Sequence, residues 1–171
     1  MEVFMKGECM RIGAVRLGLA LMLALLVVPG YVVAPVLFAK AGSASLAGML
    51  AGKIFHVANI SILLLAFSVA FFWKRMQGRY TNRNRWRWLL LLVVAVLVAV
   101  NEFALSPIMA DLKLQMGPIE DVARDDPQRQ LFGMWHGLSA IIHLLATMMT
   151  VLLVAMGARP ASAETVSGEP A

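Results

Sequence analysis

Four long runs of apolar residues, separated by short polar stretches, set the pattern of this chain. The first, Leu17–Phe38, is 22 residues without a charge. A helix rising about 1.5 Å per residue crosses the roughly 30 Å hydrocarbon core of a bilayer in about 20 residues, so this run is long enough. The others cover about Ile54–Trp73, Trp86–Met109 (with the unbroken stretch Leu89–Val100) and Leu131–Met156. Pro29 and Gly30 predict a kink in the first helix, and Pro35 a second irregularity. Asp126 before Pro127 reads as an N-cap followed by proline at the first helical position, so the fourth helix starts ahead of its apolar part. Gly157 and Pro160 end it. The expected architecture is all-α, a four-helix transmembrane bundle over residues 17–156. A cytoplasmic segment, 1–16, precedes it, and a small, polar tail, 157–171, expected to be disordered, follows.

Composition strengthens this picture. Of 171 residues, 60% are hydrophobic and 15% charged, against roughly 45–50% apolar and 25% charged in soluble domains. Mean hydropathy is +0.77. Lys6, Arg11 and Arg16 precede the first run and Ala39-Lys40-Ala41 follows it, a pattern shared with cleaved signal peptides. Signal cores, however, run about 7–15 residues, which favours a retained helix. Cys9 is the single cysteine, so neither an intrachain disulfide nor a cysteine zinc cluster can form.

The charge, +5 at pH 7, falls beside the apolar runs, which points to an anionic membrane surface rather than nucleic acid. Lys6, Arg11 and Arg16, then Lys74, Arg75, Arg79, Arg83, Arg85 and Arg87, then Arg159 lie on one side. Lys40, Lys53, Lys113, Arg124 and Arg129 lie on the other. Ten against five of the 15 basic residues predicts both termini and the middle loop in the cytoplasm of a bacterial cell, the protein being multi-pass in the inner membrane. Trp73, Tyr80, Trp86 and Trp88 read as an aromatic belt at the inner interface.

Four blocks occur in order: Gly30–Phe38 (GYVVAPVLF), Ala47–Phe55 (AGMLAGKIF), Asn101–Pro107 (NEFALSP) and Phe132–Ser139 (FGMWHGLS). Together they resemble the domain-of-unknown-function 4149 family, bacterial relatives of transmembrane protein 205, from about Gly30 to Thr150. The resemblance implies a four-helix integral membrane protein and supplies no reaction. The family often has Asn after His-Gly-x-Ser; here the stretch reads Ala140-Ile-Ile-His143, a departure that leaves any role of His143 open.

Polar groups at bilayer depth are costly and face protein or water. The candidate polar site is His56, Asn59, Asn101, Glu102 and His136, all placed in the outer part of the bundle. Asn59 and Asn101 suit interhelical hydrogen bonds. His56 could snorkel toward the headgroups. Glu102 needs donors or a cation, and an ion pair with His136 or Lys53 is the plainest arrangement. His56, His136 and Glu102 are also the candidate metal ligands. Met is abundant, 12 residues, and reads as packing rather than copper chemistry. Ala44, Gly48 and Gly52, and again Gly133 and Gly137, repeat every four residues, which serves either packing within the bundle or a homo-oligomer seam.

No phosphate-binding glycine loop, His-Glu-x-x-His or nucleophile elbow occurs. An enzyme with Glu102 as base and His136 as acid is the weakest reading. The expected function is that of an integral membrane protein of uncharacterised role, a small transport or assembly factor partnered by the lipid bilayer and by no nucleic acid. The alternative is a haem- or metal-binding membrane protein with an outer-leaflet His/Glu site; the sequence identifies no cofactor. The charge pattern gives a direct expectation: a reporter fused after Arg159 reads cytoplasmic, and one inserted near Gly117 reads external. The reverse pattern would refute the orientation.

Overall fold

The computed structural model describes residues 2–76 and 84–157. Helix α1, Glu2–Val27, passes through a π-helical turn, Val28–Val33, into α2, Ala34–Lys40. Helix α3 is Ala44–Met76. Helix α4, Asn84–Val100, runs through a second π-helical turn, Asn101–Leu105, into α5, Ser106–Met116. Helix α6 is Pro127–Gly157. No strand occurs among the described residues. Four stretches are long and apolar enough to cross a membrane: Met10–Lys40, Ala44–Arg75, Arg85–Met116 and Pro127–Met156. The all-α four-helix transmembrane bundle is therefore what the chain forms.

The helices are longer than the apolar runs. The first reaches back to Glu2, so residues 2–16 continue the span as helix, and Val15 already belongs to the core. The second starts at Ala44, ten residues before its apolar run. Ser43 explains that start: its Oγ accepts from the Leu46 amide at 3.1 Å, the geometry of an N-cap. Asp126 caps α6 as expected, its Oδ1 accepting from the amides of Gln128 (2.8 Å) and Arg129 (3.2 Å), with Pro127 at the first position. Tyr80, Arg79, Arg83, Arg159 and the tail beyond Gly157 lie outside the described residues.

Neighbours in the bundle are α1 with α3, α3 with α4, α4 with α6, and α6 with α1, the antiparallel ring that three short connections dictate. Lipid tails are as apolar as leucine, so close packing and hydrogen bonds hold such helices together. The core is a column of Leu19, Met22 and Leu26 on α1, Ile62, Ala66 and Val69 on α3, Leu91, Val94 and Val98 on α4, and Ala146 and Leu153 on α6. Leu21, Val57, Leu64, Phe67, Leu92, Ile141 and Leu152 point outward, as a lipid-facing surface requires. Near the termini, Trp73 and Trp88 pack edge to face at 5.7 Å, and the Arg87 guanidinium donates to the Met156 carbonyl at the end of α6. Trp73 is buried while Trp86 is exposed, so the expected aromatic belt is in part an aromatic plug inside the bundle.

The kink expected at Pro29 and Gly30 takes the form of the first π turn. Pro29 lacks an N–H and cannot complete an α-helical ladder. One turn before Gly30, the Leu26 carbonyl accepts from His143 Nε2–H of α6 at 2.9 Å. Gly30 is what admits the imidazole, because a Cβ there would stand 2.5 Å from His143 Nε2. Gly30→Ala must therefore displace His143 and destabilise the protein by about 1–3 kcal/mol, the usual cost of overpacking. Gly133→Ala, where a Cβ meets nothing within 4 Å, should be near neutral. Thermal unfolding of the two variants in one detergent checks the contrast.

Candidate functional site

The second π turn interrupts the third span at Asn101–Leu105 and aims two adjacent side chains at different helices. Both are buried. Asn101 faces α6, where Ser139 Oγ donates to its Oδ1 at 2.6 Å. Glu102 faces α3, where Asn59 Nδ2 donates to Oε2 at 2.9 Å and His56 Nδ1 pairs with Oε1. His56 and Asn59 are three residues apart and so share one face of α3. The sequence expectation that Asn59 and Asn101 bond across helices holds, and both serve the π turn.

The Glu102 side chain is 6% exposed and that of His56 is 63% exposed. The carboxylate thus sits inside the bundle, and the imidazole bridges it to the surface. A buried carboxylate without partners is strongly disfavoured; here both oxygens are satisfied by neighbours from one helix. With Nδ1 committed to Glu102, Nε2 is the ring atom available to the outside. Chemically the arrangement can hold a proton between an acid and an imidazole and pass it to the surface.

His136 does not join this group. It stacks on Phe132 of its own helix, ring centroids 5.9 Å apart and planes inclined by 12°. Phe132 also receives Lys113 Nζ, 5.4 Å from the ring centroid. Equal depth predicts that His56, Glu102 and His136 converge, but depth does not fix rotation about the helix axis, and α6 turns His136 onto Phe132. Lys53, the other expected partner of Glu102, is exposed. Among the described residues no three His, Cys, Asp or Glu side chains gather around one point that a metal ion could occupy. The proposed ligand set of His56, His136 and Glu102 is thus divided between two places.

Sequence reasoning missed two features. His143 and Ser139, four residues apart on α6, tie it to both π turns, one through Leu26 and one through Asn101; their spacing was the available signal. His143 also lies between Tyr31 (6.0 Å) and Phe55 (5.3 Å). The second feature is a latch at the loop end. Glu120 accepts from the Ser45 amide at 2.9 Å and from Ser45 Oγ, while Ser45 Oγ accepts from the Ile119 amide at 3.0 Å. An anion at the N-terminus of α3 is favoured by the free amides there. The glycine stripes divide as well. Gly48 has Lys113 and Phe38 beside it, whereas Gly52, Gly133 and Gly137 have open space, so bundle packing accounts for Gly48 alone. An apolar groove of about 260 Å³ between α3 and α4 is lined by Leu63, Phe67, Trp88, Leu91 and Leu92 among others.

A family model described as a domain of unknown function, DUF4149, matches residues 17–118. The chain belongs to this family. The match contains both π turns, His56, Asn59 and Glu102, and three of the four sequence blocks; the block at Phe132–Ser139 lies beyond it. No curated protein and no solved structure matches the chain.

The latch gives a pH prediction. Its hydrogen bonds from Ser45 hold the Glu120 carboxyl well below its ordinary range, at about 2. A depressed carboxylate contributes above its ordinary value and loses that contribution as pH falls through the folded one. Hydrogen exchange of the Ser45 amide should therefore stay slow, once intrinsic rates are allowed for, down to about pH 4 and quicken toward pH 2. In Glu120→Gln it should be fast throughout.

Proposed function

We propose that this protein is a small transport factor of a bacterial inner membrane, whose working element is the Glu102–His56 pair. The observation that carries this reading is a buried carboxylate on an interrupted helix, linked to the surface by one histidine. Ionisable residues within spans mark ion and proton pathways, and interrupted helices are where transporters place their binding groups. Here the interruption, the acid and the histidine coincide. With the termini cytoplasmic, as the distribution of Lys and Arg favours, the loop end and His56 face outward. His56 Nε2 collects or releases a proton there, Nδ1 exchanges it with Glu102, and Asn59 keeps the second oxygen in place. Taking a proton neutralises the carboxylate and weakens its hold on α3, which links proton occupancy to the contact between α3 and the π turn.

The reading is tested with the full chain in liposomes carrying an entrapped pH-sensitive dye and an imposed potassium diffusion potential. Wild-type protein should carry the potential-driven proton flux faster than Glu102→Gln by about tenfold or more, the scale expected for loss of a positioned acid–base group. His56→Gln should be similarly slow. Equal proton flux in wild type and Glu102→Gln, each shown to be helical by circular dichroism, would overturn the proposal.

A further inference from the structure

At the loop end, a second polar cluster stands apart from Glu102. Lys113 leaves α5 and reaches between α3 and α6. Its ammonium donates to the Gly48 carbonyl on α3 at 3.4 Å, a long bond, and lies over the Phe132 ring of α6 at 5.4 Å. His136 packs on the same ring. Arg129, seven residues before His136 and so on the same face of α6, gives one bond to the Val122 carbonyl. Lys113 and His136 thus meet at one phenylalanine, and Arg129 lies on the His136 face of α6, two turns before it.

The neighbouring acids do not neutralise them. Glu120 is engaged by Ser45, and Asp126 caps α6. The described residues contain one ion pair within 4 Å, that between His56 and Glu102. Lys113 has three N–H donors and Arg129 five, more than the protein carbonyls beside them use. Gly133 adds room, since a Cβ there would meet nothing within 4 Å. Phe132 lies one residue inside the apolar run that begins at Leu131, which is the depth of the headgroups.

We infer that Lys113 and His136, which share the Phe132 ring, form with Arg129 on the same face of α6 a binding site for a phosphate group, carried by a lipid headgroup or free in solution. Lys113 supplies the point charge. Arg129 supplies a planar fork suited to two phosphate oxygens. His136 donates through a ring nitrogen, and Phe132 holds the ammonium and imidazole in place. The inference goes beyond the proton-exchange reading and does not depend on it, because no residue is shared.

The test uses the full chain in a phosphate-free maltoside detergent, titrated separately with short-chain phosphatidylglycerol and with inorganic phosphate. Binding is read from the ring resonances of His136 and from the unfolding temperature. Wild-type protein should respond saturably to at least one probe. Lys113→Gln combined with His136→Gln should weaken the response by about tenfold or more, as expected when charge-assisted bonds are lost. Lys113→Arg should retain it, and the exposed Ser68→Ala should be silent. Saturation by the lipid alone identifies a headgroup site; saturation by inorganic phosphate identifies a free-anion site. No shift of the His136 resonances by either probe would overturn the inference, as would equal binding by wild type and double variant. Should the double variant fail to fold, the wild-type resonances and Lys113→Arg still decide.

Discussion

A carboxylate placed inside an apolar span must find donors, and the upper half of this bundle is arranged around that demand. Glu102 cannot be left bare in a low-dielectric surrounding. Its two oxygens are met by Asn59 and His56, three residues apart on α3. That spacing puts both on one face, so a single helix satisfies the acid and its rotation relative to the third span is fixed. Asn101, the preceding residue, does the same for α6 through Ser139. A regular α-helix separates adjacent side chains by about 100°, and the wider π turn at Asn101–Leu105 serves both directions at once.

The first span repeats the logic with a different group. Just ahead of its π turn, the Leu26 carbonyl accepts a hydrogen bond from His143 of α6. Helix α6 is consequently bonded to both interruptions from positions one turn apart. In lipid, where burial of apolar surface gives no preference between neighbours, such bonds and the glycine that admits His143 supply specificity. The loop end is closed separately by the Glu120 latch on Ser45 and by the Asp126 cap.

Periodicity and length made the architecture legible, since 20 apolar residues admit few structures in a membrane. Local chemistry was legible too: Asp126 with Pro127 marked the start of α6, and Pro29 with Gly30 marked an irregularity. The pairing of Glu102 was only half legible. Its depth indicated which residues lay level with it, but choosing between His56 and His136 requires the rotation of each helix, which depends on packing elsewhere. For the same reason the contact of His143 with Leu26 was not legible from its place on α6. The glycine stripes were legible only as spacing: Gly48 packs within the bundle, while Gly52, Gly133 and Gly137 face open space in the single chain.

The central claim is that Glu102 and His56 act as one hydrogen-bonded unit. Nitrogen-15 NMR of histidine-labelled protein in lipid bilayers tests it most directly, by following the His56 ring signals in wild type and in Glu102→Gln. The account predicts that the Nδ1 resonance of wild type carries the signature of a strong hydrogen bond to a carboxylate, and that Glu102→Gln moves it while leaving His143 unchanged. An identical His56 spectrum in the two proteins would contradict it.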